Sequence, residues 1–123
     1  MSAVPTGDER GSGSMLMVAV MLAVAVLAVG GVCIAGYLVA AHRARAAADL
    51  AALSGAVAVS NGSDGCRAAG RIARENGAAL SDCSRVGDDV DFVLTVQAKV
   101  RVRAFVPGLP AIVHASAHAG TGR

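Results

Sequence analysis

Three kinds of hydrophobic pattern follow one another along the chain. From Met15 to Ala41 the run MLMVAVMLAVAVLAVGGVCIAGYLVAA carries no charge. About 20 apolar residues span a bilayer as a helix, whereas a cleaved secretory signal has an apolar region of only ~7–15. The length favours a retained transmembrane helix over a signal, although Val39-Ala40-Ala41 has the look of a small-residue cleavage site. The helical pattern does not stop at Ala41. Leu50, Leu53 and Val57 continue an apolar stripe, and no Gly or Pro intervenes before Gly55. Arg45 and Asp49 stand four apart, a spacing that pairs across one turn for a few tenths of a kcal/mol. The turn-rich SNGSDG at 60–65 is the stop. One helix of roughly 40 residues, ~60 Å at 1.5 Å per residue, is therefore expected to begin in lipid and end in water near Asn61.

A short amphipathic pattern comes next. In CRAAGRIARENGAALSDC, residues 66–83, Ala69, Ile72, Ala73 and Leu80 fall near one helical face. Arg67, Arg71 and Arg74 fall on the other, with Glu75 four after Arg71. The segment reads as a helix capped by Ser63 and broken at Asn76-Gly77. An arginine stripe suits an acidic partner or lipid headgroups; for so short a run a solvated face is the commoner meaning. The period then changes to two. Val90, Phe92, Leu94, Val96, Ala98, Val100, Val102 and Ala104 are apolar, while Asp89, Asp91, Thr95, Gln97, Lys99, Arg101 and Arg103 alternate with them. That is a half-buried strand. It is long against a usual ~5–6 residues, so a bulge or break is expected near Gln97–Lys99. PGLP at 107–110 is a turn, and AIVHASAHA at 111–119 pairs back as a second strand.

A sheet this small must pack its even face on a helix, most simply on the extension of the membrane helix. The expected class is α+β: a long N-terminal transmembrane helix extending into water, with a short second helix and a small antiparallel sheet packed on it. The expected divisions are a disordered polar leader at 1–14, the transmembrane helix at 15–41, its water-exposed extension at 42–60, and a small extracytoplasmic α+β domain at 61–123.

Composition narrows the function. The 123 residues are 54% apolar but only 2% aromatic, with Tyr37, Phe92 and Phe105 and no Trp. Small groups dominate what the chain buries, so a large soluble core is not expected. The net charge of +2 and the missing aromatic platform give no support to nucleic-acid binding. No GxSxG, phosphate loop or HExxH occurs, and the spacing of Asp88, Asp89 and Asp91 does not match an EF-hand. The chain is read as a non-enzyme with no cofactor and no small-molecule substrate.

Within the membrane run, Ala19, Ala23, Gly31, Ala35, Gly36 and Ala40 place small residues at helical spacing, which lets helices approach closely in lipid. Their abundance in this chain explains them equally well. Cys33 lies mid-membrane as a small apolar residue. Cys66 and Cys83 bracket the second helix. A bridge would close the loop 66–83, worth about 3 kcal/mol, and would require an oxidising compartment; two unpaired structural cysteines are the alternative. His114 and His118 with those cysteines make a conceivable Cys2His2 set, but the cysteine spacing is far from that of zinc sites. Orientation is in conflict: His42, Arg43 and Arg45 favour a cytoplasmic C-terminal side by the positive-inside rule, whereas a disulfide needs the exterior.

The stretches DERGSGSMLMVAVMLAV and HRARAAADLAALSGA resemble the N-terminal region of TadE- and TadG-like pilus-assembly proteins. Those carry a short polar leader, one membrane helix and then a segment of the form (H/R)RxQxAADxAALAGA. Arg43, Ala47, Ala48, Asp49, Ala51, Ala52, Leu53, Gly55 and Ala56 fit that form, and Arg45 stands where many relatives have Gln. Cys66, Ala69, Ile72, Ala73, Asn76, Gly77, Ala78, Leu80 and Cys83, followed by a strand and a terminal AxAG, are similar to the small TadE-like proteins of actinobacteria encoded beside a helicase and a secretion-type ATPase. The order of these motifs carries the resemblance, which spans residues 8 to about 120. It implies a minor pilin-like or pseudopilin-like component of a tight-adherence, type IV-like pilus or secretion system. It implies an N-terminus in the cytoplasm and a C-terminal domain outside, which together with the disulfide reading outweighs the charge count. The implied partners are membrane lipid, other pilin-like subunits and the membrane platform of the machine. In one respect the chain departs from the pattern. Prepilin-type processing cuts after a leader Gly with Glu at the fifth mature position, and after Gly11 or Gly13 the fifth residue is Leu16 or Val18. The competing expectation is a small envelope binding module released by signal peptidase near Ala41.

Overall fold

The computed structural model describes residues 6–102, 108 and 111–121. Helix α1 runs Thr6–Ser60 and α2 Gly65–Glu75; strands β1, β2 and β3 run Ala79–Gly87, Phe92–Arg101 and Ile112–Gly120. The class is α+β, as the patterning predicts. Two compact units divide between Ile34 and Ala35.

The first unit is the N-terminal part of α1. Its large apolar side chains, from Met15 and Leu16 through Val32 and Ile34, are exposed. By length and composition it is a helix able to cross a membrane. It starts at Thr6, ahead of the Met15 at which the apolar run begins. Propagating an existing helix adds a hydrogen bond for each residue fixed, and the long apolar helix is a ready nucleus for the polar turns before it, Gly11 and Gly13 included. Residues 1–5 lie outside the described residues.

The second unit is built on residues 35–60 of α1. The sheet is a three-stranded antiparallel meander of order β1-β2-β3. Central strand β2 turns Phe92, Leu94, Val96, Ala98 and Val100 inward and alternates them with outward residues. Leu94, Val96, Ala98 and Val100 share a core with Ala40, Ala44, Ala47, Ala48, Ala51 and Ala52 of α1 and with Ala69 and Ala73 of α2, while Phe92 packs in a second cluster with Ala56 and Val59. The even-face expectation holds from Phe92 to Val102. Val90 departs from it: it is 78% exposed in the β1–β2 turn, because the strand begins only at Phe92. Ala104, Pro107, Leu109 and Pro110 lie outside the described residues.

Sequence periodicity gives no sign of β1. Only Ala79, Leu80 and Cys83 of its nine residues are half-buried, and the rest are exposed, as suits an edge strand. Leu80 therefore belongs to a strand and not to the α2 face. β2 runs unbroken through Gln97–Lys99, and the expected irregularity sits on its neighbour. The β1–β2 register slips between Leu80 and Asp82, opposite Ala98 and Gln97. The extra residue, Ser81, donates its hydroxyl to the Gln97 carbonyl at 3.1 Å. Such a bulge breaks the two-residue period that would have announced the strand.

Helix α2 is capped by Asp64 and not by Ser63. The Asp64 carboxylate accepts from the Arg67 amide at 3.2 Å, and the helix starts at the very next residue. It ends at Asn76-Gly77 as expected, where Gly77 adopts φ +76°.

Candidate assembly surface

The face of α1 that meets the sheet is made almost entirely of small residues. Ala44, Ala47, Ala48 and Ala51 are fully buried, and Ala52, Ala56 and Val59 nearly so. Gly55 is where α2 crosses: a Cβ placed on it would meet Leu94 Cδ2, and would lie 2.8 Å from the Gly65 carbonyl oxygen. Six of the motif positions, Ala47, Ala48, Ala51, Ala52, Gly55 and Ala56, thus form one close-packed stripe inside the chain's own domain.

The remaining motif positions, Arg43, Asp49 and Leu53, face outward. Leu53 belongs to the stripe Leu50, Leu53 and Val57, which the spacing predicts as apolar. The structure leaves these three 47%, 59% and 53% exposed. The sheet takes the alanine face because small side chains let a helix backbone lie close to a strand, and the larger residues are turned out. The i to i+4 neighbours Arg45 and Asp49 form no ion pair, nor do Arg71 and Glu75; among the described residues the ion pair is Arg85–Asp89 at 2.8 Å. Exposed long side chains gain too little from such pairing to be held together.

The small residues of the membrane run divide likewise. Ala19, Ala23, Gly31 and Ala35 are exposed and Gly36 is half-buried. Ala40 is 5% exposed, covered by the chain's own core, with Tyr37 packed against the same cluster.

A groove of about 470 Å³ lies where α1 meets α2, lined by Ser54 and Val57 on one side and Arg67 and Arg71 on the other. It adjoins the outward stripe at Val57. At the β1–β2 turn the Asp88 carboxylate accepts from the amides of Asp91 at 2.8 Å and Val90 at 3.0 Å. These two bonds, the Asp91 bond foremost, hold its pKa below the ordinary 3.8. Arg85 pairs with Asp89 and lies 5.6 Å over the Phe92 ring. Thr121 pins the same turn, its hydroxyl donating to the Val90 carbonyl at 2.6 Å.

Cys66 and Cys83 are joined, with Cα atoms 5.8 Å apart. The bridge ties α2 to edge strand β1, and it removes both sulfurs from the conceivable Cys2His2 set. His118 instead shares a 2.9 Å hydrogen bond with Thr95 across the strands. Cys33 is the free cysteine.

Comparison with known proteins bears on the helix and not on the sheet. No curated protein and no solved structure matches the chain significantly. Residues 12–58 match the family model described as Flp pilus-assembly TadE/G-like. The matched stretch runs from the start of the apolar segment to the end of the alanine-packed face, so it is over α1 that the chain is similar to that family.

Proposed function

We propose that the chain is a single-pass, minor pilin-like or pseudopilin-like subunit of a tight-adherence, type IV-like pilus or secretion system. Its N-terminus lies in the cytoplasm and its α+β domain outside. It acts by helix packing and assembly, not by catalysis. Its partners are lipid, other pilin-like subunits and the membrane platform. One observation carries this reading: within the family-matched helix, the inner alanine face is filled by the chain's own sheet, while Leu50, Leu53 and Val57 stand unfilled opposite it. A row of large exposed apolar side chains on a helix marks an interaction surface. The Cys66–Cys83 bridge supports the external placement, since disulfides persist in oxidising compartments. A released binding module, cut near Ala41, fits less well. The cut would strip Tyr37 and Ala40 from the core they share with β2.

Three measurements on cells making the full chain test the reading. A membrane-impermeant reductant followed by an impermeant maleimide should label Cys66 and Cys83 on intact cells; labelling only after lysis would place the domain inside. A photo-crosslinker at Leu53 should capture pilin-like or platform components, and capture of no pilus component would remove the assembly role. A mature N-terminus at His42 would establish the released form instead.

A further inference from the structure

The two ends of the second unit differ in charge, and chain geometry says which end lies beside the residues where α1 enters it. Phe92 packs with Ala56 and Val59 at the far end of α1. From there β2 runs back along the helix. At ~3.3 Å per residue, the stretch from Phe92 to Val100 covers about 26 Å, which equals roughly 18 residues of helix. Val100 therefore reaches the level of Ala40, and the two are buried in one cluster with Val102. Tyr37 is the first α1 residue packed against this cluster, and the uncharged run before it reaches Gly36. From Met15 that is roughly 33 Å at 1.5 Å per residue, close to the ~30 Å hydrocarbon thickness of a bilayer. The end of β2 thus lies beside the residues by which α1 enters the second unit.

That end is basic. Lys99 and Arg101 line a cavity of about 340 Å³ together with Gly77, Ala78, Ala79 and Ile112. Among the described residues no carboxylate lines it. Neither cation makes an ion pair or side-chain hydrogen bond among the described residues. Ile112 is 40% exposed at its edge. Arg43 and Arg45 sit at the same level on α1, exposed and also without ion pairs. The acidic turn Asp88–Asp91 is at the opposite end of β2.

We propose that this cavity holds the phosphate of an anionic phospholipid, seating the domain on the leaflet from which α1 emerges. Lys99 and Arg101 supply the countercharge, and Ile112 meets the apolar edge of the headgroup layer. The inference rests on the membrane-spanning reading of α1, and it is independent of which filament the chain serves.

The test uses the full chain in nanodiscs, one set mixing phosphatidylglycerol with phosphatidylcholine and one of phosphatidylcholine alone, each doped with headgroup-spin-labelled lipid. In the mixed discs, amide resonances of residues 99–101 and 112 should broaden and those of 88–91 should not. Each basic residue near an anionic leaflet favours the bound state about fivefold, so Lys99→Gln/Arg101→Gln should lower the bound-to-free ratio roughly 25-fold. Added salt should weaken the broadening. Equal broadening in both disc types with the unaltered chain overturns the proposal, and that comparison needs no variant. Shifts at 99–101 on adding inorganic phosphate, without any response to phosphatidylglycerol, overturn the lipid assignment. Failure of the chain to enter discs at all overturns the membrane-spanning reading as well.

Discussion

Gly55 on α1 and Gly65 on α2 touch backbone to backbone. A Cβ on Gly55 would lie 2.8 Å from the Gly65 carbonyl oxygen, and one on Gly65 would lie 2.9 Å from the Gly55 carbonyl oxygen. Neither obstacle is the far end of a flexible side chain. Gly55→Ala should therefore lower stability by about 1–3 kcal/mol, more than offsetting the ~1 kcal/mol by which Ala favours a helix interior. Gly70 on α2 has nothing within 4 Å of its Cβ position, so Gly70→Ala should stabilise. Denaturant midpoints of the two variants, followed by circular dichroism in detergent, should move in opposite directions. Matching shifts would mean that the helices do not meet at Gly55.

The disulfide makes a second expectation quantitative. It closes a loop with sequence separation 17 and joins α2 to a strand with few buried residues of its own. Reduction should cost about 3 kcal/mol in the loop-closure account, a large share of a small domain's stability. Alkylation of the unreduced chain, unfolded in denaturant, should modify Cys33 alone. After reduction all three cysteines should react. Three reactive thiols without reductant would mean that the bridge is not formed.

The parts legible in the sequence are those where one face is buried. β2 was legible because Leu94, Val96 and Ala98 alternate with polar residues against a continuous helix. β1 was not, because its bulge at Ser81 interrupts the alternation and its outer residues face water. The helix was legible in its end at Ser60 and not in its start, since GDERGSGS has no helical periodicity and is helical only by continuation. The stripe Leu50, Leu53 and Val57 is legible as apolar, yet its spacing does not say which face of the helix meets the sheet. Hydrophobic size suggests core, but close packing of a helix on a sheet selects Ala47, Ala48 and Ala51 instead. Asp64 displaced Ser63 as the cap because both residue types serve, and only the first helical residue decides between them.

Asp88 gives the domain a pH-dependent turn. Its carboxylate is held ionised by the Asp91 and Val90 amides, so its folded pKa lies below the ordinary 3.8. The bonded turn is fully favoured above the unfolded pKa and is lost as pH falls through the folded one. A carbon-detected NMR titration should place the Asp88 midpoint below 3.8, with the Val90 and Asp91 amides moving in step. In Asp88→Ala that amide titration should vanish. A midpoint at or above the ordinary value would show that the two hydrogen bonds do not form in solution.

The two faces of α1 should separate folding from assembly. Leu50→Gln with Leu53→Gln alters side chains that are about half exposed, so stability should change by no more than about 0.5 kcal/mol at each site. Ala51→Leu forces three added carbons into a position with 0% exposure, and should destabilise by about 1–3 kcal/mol. If the outward stripe is where another pilin-like helix lies, the Gln variant should keep its fold and its disulfide yet lose crosslinking to pilus components. Ala51→Leu should lose assembly only in proportion to the unfolded fraction. Unfolding curves and crosslink yields from the same preparations distinguish the cases. A Gln variant that unfolds as readily as Ala51→Leu would mean that the stripe is core, and one that folds and assembles normally would free that face from any part in the filament.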